Sequence, residues 1–360
     1  MDGFLIPAWV VSSNVKKFPV SSALGVCCAA AALFSYLHAP LPWMIGPLLA
    51  MAGGRFFGAH LAAPRGGRAT GQLIIGCALG LYFTPAVAHE VATYWYLLIA
   101  AALFAVALAY ASGWLLTWGV GLDATTALFA SVPGGAAEMT ILGERFGARP
   151  DRVVLAQSLR VVFVVVVVPS VFTILGVHGA LLNQPAQLEP DIAGLAVLLA
   201  IAAVAGGILA RLRVPNSWML GPLAIAIGLT VAGIHLSAVP TVLSNAAQVL
   251  LGCALGSGFH RNSLRSSSRF VLFVLVSVVL AVIASALFAW TIAVATTLPL
   301  STMVLATAPG GMAEMCVTAK VLQLGVPLVT AAHVTRVIIL VTTTAPVFRI
   351  VKRMRWKVAR

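Results

Sequence analysis

A ten-residue stretch, Ser131-Val132-Pro133-Gly134-Gly135-Ala136-Ala137-Glu138-Met139-Thr140, returns as Thr307-Ala308-Pro309-Gly310-Gly311-Met312-Ala313-Glu314-Met315-Cys316, with six of ten positions identical at an offset of 176. Each copy sets a helix breaker, two glycines and a carboxylate inside sequence apolar enough to be embedded in a membrane. Three more landmarks repeat in the same order. Trp43-Met44-Ile45-Gly46-Pro47 recurs as Trp218-Met219-Leu220-Gly221-Pro222, the segment from Gln72 to Gly80 recurs as Gln248 to Gly256, and Arg160-Val161-Val162 recurs as Arg336-Val337-Ile338. Four landmarks at offsets of 175 or 176 make the chain a duplication of one unit.

Of the 360 residues, 61% are hydrophobic and only 9% charged, against roughly 25% charged in soluble domains. Apolar runs of about 18 residues or more recur along the chain, the mark of a polytopic membrane protein built from helices. The net charge of +13 does not point to nucleic acid, because the basic residues sit in short groups between apolar runs, as in positive cytoplasmic loops. The five cysteines (Cys27, Cys28, Cys77, Cys253, Cys316) lie in apolar segments without metal-ligand spacing, so neither disulfides nor zinc are expected. Lys16-Lys17 before an apolar run mimics a signal peptide, but the counterpart at 192–210 cannot be cleaved off, so the first run reads as a retained span.

Each unit offers six apolar segments, near 20–37, 41–58, 70–87, 92–118, 124–143 and 153–175, then 192–210, 217–234, 241–259, 270–297, 301–322 and 327–348. The fifth segment of each half decides the architecture. If it crosses, the chain has twelve spans and parallel repeats. If it turns back at Pro-Gly-Gly, each repeat has five spans plus one re-entrant hairpin, and the repeats are inverted. The inverted arrangement keeps Arg145, Arg149, Arg152, Arg211, Arg213, Arg261, Arg265 and Arg269 on the cytoplasmic side, whereas the parallel one moves all eight outside. The expectation is therefore an all-α polytopic membrane protein with inverted repeats and both termini cytoplasmic. Residues 1–176 form the first repeat, 177–190 an external linker, and 191–360 the second repeat with a basic cytoplasmic tail.

From Asp123 to Ser131 is about 13 Å of helix, roughly halfway across a bilayer core. There Pro133 breaks the helix and Gly134-Gly135 are expected to permit the reversal. The following helix starts at Ala136 with its free amides pointing inward. Arg160, ten residues after Pro150, and Arg336, nine after Pro327, come about equally deep. Each follows a polar residue one turn earlier, Gln157 or His333. Intramembrane ionisable groups normally face a cavity or one another. Helix starts at the midplane of inverted repeats are a recurring way to hold an anion. The predicted site is Gly134, Gly135, Glu138, Arg160, Gly310, Gly311, Glu314 and Arg336, with Ser131, Thr140, Gln157, Thr307 and His333 secondary. Plainer readings stand beside it. Pro-Gly-Gly can be a tight helix-hairpin turn, and Glu138–Arg160 and Glu314–Arg336 can be neutralising pairs. The Trp-Met-x-Gly-Pro segments read better as packing kinks than as ligand sites, and His333 serves equally as a packing residue or a proton relay.

The duplicated Pro-Gly-Gly-x-Ala-Glu-Met tips, the repeated Gly-Cys-Ala-Leu-Gly and the arginine span resemble the AbrB-type family of bacterial integral membrane proteins, over both halves. Pro133, Gly134, Gly135 and Glu138, and Pro309, Gly310, Gly311 and Glu314, match the family pattern. The resemblance implies an internally duplicated inner-membrane protein. Its labels are regulator of aidB expression, ammonia monooxygenase and transporter, and its name is shared with an unrelated soluble DNA-binding regulator.

The residues favour an ion-coupled secondary transporter of a small anionic or zwitterionic solute, with H+ or Na+ as coupling ion and no other cofactor. The expected partners are the lipid bilayer and the solute, with room for a homodimer and no nucleic acid. An indirect influence on gene expression is the alternative, since no DNA-binding motif is present. Ammonia oxidation fits worst, because the seven histidines are dispersed and form no metal site. Nucleotide loops and nucleophile elbows are also missing, so no enzyme is expected.

Overall fold

The computed structural model describes residues 17–177, 179, 190–259 and 268–358. Arg261, Arg265 and nearly all of the expected linker at 177–190 lie outside the described residues.

The first half holds α1 (Val20–Tyr36), α2 (Pro42–Phe56), α3 (Gly67–Gly80), α4 (Pro85–Thr93), α5 (Trp95–Val120), α6 (Ala124–Ser131), α7 (Ala136–Arg145) and α8 (Pro150–Ile174). The second holds α9 (Ile192–Arg211), α10 (Ser217–Val231), α11 (Thr241–Gly256), α12 (Ser268–Ala295), α13 (Leu300–Thr307), α14 (Met312–Val321) and α15 (Val326–Val358). Apart from the helices, β1 (Lys17–Phe18) and β2 (His60–Leu61) pair in parallel.

Helix starts follow local chemistry. Proline opens α2, α4 and α8, where its missing N–H costs nothing. Asp123 caps α6 by accepting from the Thr126 amide at 2.8 Å, and Asp191 caps α9 by accepting from the Gly194 amide at 2.6 Å. Asp123→Ala is expected to destabilise the fold by about 1 kcal/mol, read as a small fall in Tm in detergent.

Among the described residues four helices, α5, α8, α9 and α12, are long and apolar enough to cross a membrane, or five spans if α3 and α4, bent by 93°, count as one. On α5, Trp95 and Tyr96 near the start and Trp114 and Trp118 near the end are exposed. By helical rise these pairs stand roughly 27–35 Å apart, the spacing of aromatic belts on a hydrocarbon core of about 30 Å. The chain is a helical membrane protein. The apolar run expected near 70–87 is not one straight helix: α3 ends at Gly80, and Thr84 and Pro85 start α4 in a new direction. Helices α2, α3, α10 and α11 hold only 14 to 16 residues, about 21–24 Å.

These four short helices form one part of the contact between the halves, beside α12 packed on α5 and α8 and α15 packed on α5. A Cβ on Gly76 of α3 would stand 2.8 Å from the Met219 carbonyl oxygen of α10, and one on Gly252 of α11 would strike the Met44 carbonyl oxygen of α2. The contacts are reciprocal. Their register, with Gly76 by Met219 and Gly80 by Ala226, makes α3 run alongside α10 in the same direction. Gly252 by Met44 and Gly256 by Met51 do the same for α11 and α2. By contrast, Gly71 meets Ala247 and Leu251, and the start of α3 at Arg68 shares a space with Gly258 just past the end of α11, so α3 and α11 cross with opposite chain directions. The two Gly-Pro segments lie inside α2 and α10 as packing features: a Cβ on Gly46 would sit 2.8 Å from the Ala30 carbonyl oxygen, and one on Gly221 would sit 2.6 Å from the Gly206 nitrogen.

Candidate functional site

The broken helices α6–α7 and α13–α14 reverse at Val132–Gly135 and at Ala308–Gly311. A break inside apolar surroundings strands the carbonyls that end its first helix. In the first half α8 supplies the donors. Gln157 Nε2 donates to the carbonyls of Phe129 and Val132, both at 2.8 Å, and Arg160 donates to the Ser131 carbonyl at 3.1 Å and to Gln157 Oε1 at 2.7 Å. In the second half Arg336 of α15 donates to the carbonyls of Ala308 and Gly310, both at 2.7 Å, and His333 Nε2 lies 3.0 Å from the Leu305 carbonyl oxygen. Each guanidinium thus stands at the negative end of a half-helix, where a positive charge is favoured.

The glycines act by being small. None of Gly134, Gly135, Gly310 and Gly311 has positive φ, and Gly135 and Gly311 are extended at φ −64° and −73°. The reversal needs no left-handed residue; what it needs is room. A Cβ on Gly135 would collide with the Glu138 carboxylate, and one on Gly311 with that of Glu314. Both carboxylates fold back over the start of the second half-helix, at its third position, where the dipole favours them.

The neutralising pairs are absent from this conformation. Among the described residues the ion pairs are Arg149–Asp151 at 3.6 Å and Arg152–Asp151 at 3.5 Å, not Glu138–Arg160 or Glu314–Arg336. The arginines hold carbonyls instead, and the carboxylates sit on helix starts. Arg160 and Arg336 nevertheless lie within electrostatic reach of one another and of Glu314. Among the described residues the buried Nε atoms of both arginines, and Glu138 Oε2, have no hydrogen-bond partner.

The two tips meet at a cavity of about 260 Å³ that is lined by Gly134, Gly135, Gly310, Gly311, Glu314 and Arg336, with Gln157 also on its wall. On the other side of the tips lies a smaller space of about 30 Å³ between α5 and α12, which Arg160, Ser131, Thr307 and both tip prolines reach. The Thr307 hydroxyl is committed to backbone, donating to Met303 O at 2.9 Å and Ser285 O at 3.1 Å. Glu138 is half-buried beside Gly135, His333 is fully buried, and Thr140 sits half-buried on α7; none of the three lines either cavity.

Four polar residues on the larger cavity were not singled out from sequence: Arg68, Gln72, Ser158 and Asn216. Gln72 was legible, because it opens a repeated segment and its counterpart Gln248 is likewise buried. Arg68, Ser158 and Asn216 carry no such signal. Among the described residues no three His, Cys, Asp or Glu side chains are grouped to hold a metal ion.

Apolar helices wrapped around two broken ones, with arginines and a glutamate buried where the breaks meet, define a polytopic membrane protein with a polar interior. The chain belongs to the AbrB family, described as "Transition state regulatory protein AbrB", whose family model matches residues 43–352. It is 27% identical over 333 residues to "Putative regulator AbrB" of Escherichia coli (strain K12), covering 91% of this chain and 96% of the relative. It is 28% identical over 304 residues to "Uncharacterized protein YhjN" of Bacillus subtilis (strain 168), covering 79% of each.

Proposed function

We propose that the chain is a secondary transporter, not an enzyme, moving a small anionic or zwitterionic solute by alternating access with H+ or Na+ as the coupling ion. The observation that carries this reading is the cavity of about 260 Å³ that both broken-helix tips share with Arg336 and Glu314. Backbone amides at the start of α14 and the free Arg336 Nε offer donors to an anion, and Glu314 offers a carboxylate to a cation or a proton. Its volume, below the roughly 300–1,000 Å³ of drug-sized sites, suits a small solute.

In this reading the repeats are inverted, with five spans and one re-entrant hairpin each, in the inner membrane with both termini cytoplasmic. The opposite directions of α3 and α11 support it. Repeats related by an axis along the membrane normal keep equivalent helices parallel, whereas an axis in the membrane plane reverses them. Arg68 on the cavity wall supports a cytoplasmic mouth.

The test is uptake of labelled small carboxylates and amino acids into proteoliposomes under an imposed H+ or Na+ gradient. Glu314→Gln and Gly311→Ala, the latter displacing the carboxylate, are expected to abolish gradient-driven uptake while the protein still folds in detergent. Absence of gradient-driven uptake by the unmutated chain across the panel rejects the reading. The printed name of the Escherichia coli relative favours a second role, an indirect influence on gene expression. A regulatory phenotype that survives Glu314→Gln in cells would separate that role from transport.

A further inference from the structure

The two halves match in sequence but not in surroundings. Every residue of α14 from Met312 to Ala319 is buried, and this helix also rests on α3. Its counterpart α7 leaves Ile141, Glu144 and Arg145 exposed and makes no comparable contact with α11. The difference coincides with the cavity. Its wall includes Arg68 in the first turn of α3, Asn216 at the start of α10 and Gly258 just after α11. The directions of these helices put all three at one end of the bundle.

The repeat offsets map this wall onto an opposite one, with Arg68 falling on Ser244, Gln72 on Gln248, Gln157 on His333 and Asn216 on Leu41. That opposite wall is collapsed: Ser244, Gln248, His333 and Leu41 are all at most 5% exposed. At its outer end Lys320, in the last turn of α14, donates to Ser244 Oγ at 3.1 Å.

The same offset of 176 carries Lys320 to Glu144 and Ser244 to Arg68. These two residues bear opposite charges and stand at the open end, yet the ion pairs among the described residues do not include them. We propose that Arg68 and Glu144 form the closing ion pair of a second state, in which α7 packs down on α11, the cavity seals at its present mouth, and the Lys320–Ser244 contact opens. The inference rests on the transporter reading and assigns that site its two gates. A contact between a half-exposed and an exposed charged group is weak and reversible, as a gate that must reopen requires.

Cross-linking tests it without measuring transport. In a chain whose five cysteines are replaced by alanine, one variant carries Arg68→Cys with Glu144→Cys. Another carries Ser244→Cys with Lys320→Cys. Each is treated in liposomes with a short bifunctional thiol reagent, and the initial linking rate is read by mass spectrometry. The Ser244/Lys320 pair is expected to link readily and the Arg68/Glu144 pair slowly. Adding Lys320→Ala to the latter should raise its rate about tenfold to a hundredfold, the size of effect expected from one lost charge-assisted hydrogen bond. An unchanged rate in the Lys320→Ala background overturns the proposal, as does a rate equal to that of the Ser244/Lys320 pair with Lys320 intact. Lys320-dependent linking without solute uptake would leave the gates and remove the transporter reading. Uptake that persists in the linked Arg68→Cys, Glu144→Cys variant would do the reverse.

Discussion

Arg336→Ala is expected to abolish uptake while lowering stability only moderately. The guanidinium meets two carbonyls at 2.7 Å, and each charge-assisted bond is worth about 1.5–3 kcal/mol. Removing the side chain also relieves the burial of a cation, about 2.5–3.5 kcal/mol on the insertion scale. The two effects largely offset, leaving a net loss of roughly 1–3 kcal/mol. Tm in detergent should fall by several degrees, with the protein still folded. Arg336→Lys discriminates between charge and geometry. An ammonium restores the charge but lacks the planar fork that reaches the carbonyls of Ala308 and Gly310 together, so stability should recover in part and uptake should not. Normal uptake by Arg336→Ala would remove this residue from the site.

The second large effect is expected between the halves. Gly252→Val pushes a branched side chain into the Met44 carbonyl of α2, and Gly76→Val does the same at Met219 of α10, at 2.8 Å for the first added carbon. Backbone cannot step aside as a flexible side chain can, so each substitution should cost on the order of 3 kcal/mol or more, at the upper end of overpacking penalties. Thermal unfolding should show similar losses for both variants, because the contacts are reciprocal. A loss confined to one of them would contradict the reciprocity of these contacts.

Much of the site was legible because membrane burial makes polar residues conspicuous. Two arginines, two glutamates and Gln157 inside apolar runs have few explanations, and their repetition at one offset marks them as a set. Their partners were not legible. Spacing brings Glu138 near Arg160 as readily as it brings Arg160 near the Ser131 carbonyl, and only the fold shows the second contact formed. What the glycines make room for was not legible either. Pro-Gly-Gly reads as a reversal that bulkier residues would block, and only the fold shows Gly135 and Gly311 extended with a carboxylate lying over each. Nor does hydropathy reveal the bend after Gly80, since the residues on both sides of it are apolar.

By itself the chain's sequence determined that the protein is helical, membrane-embedded, duplicated, and broken twice at equivalent points, because helix length, polarity and proline act locally. Tertiary structure alone decided that Arg160 and Arg336 hold carbonyls, that the tips share one cavity, and that α14 is encased while α7 is open. A repeat in sequence is indifferent to which copy is buried. Packing is not, because one end of the bundle has closed on Lys320 and Ser244 while the other has not.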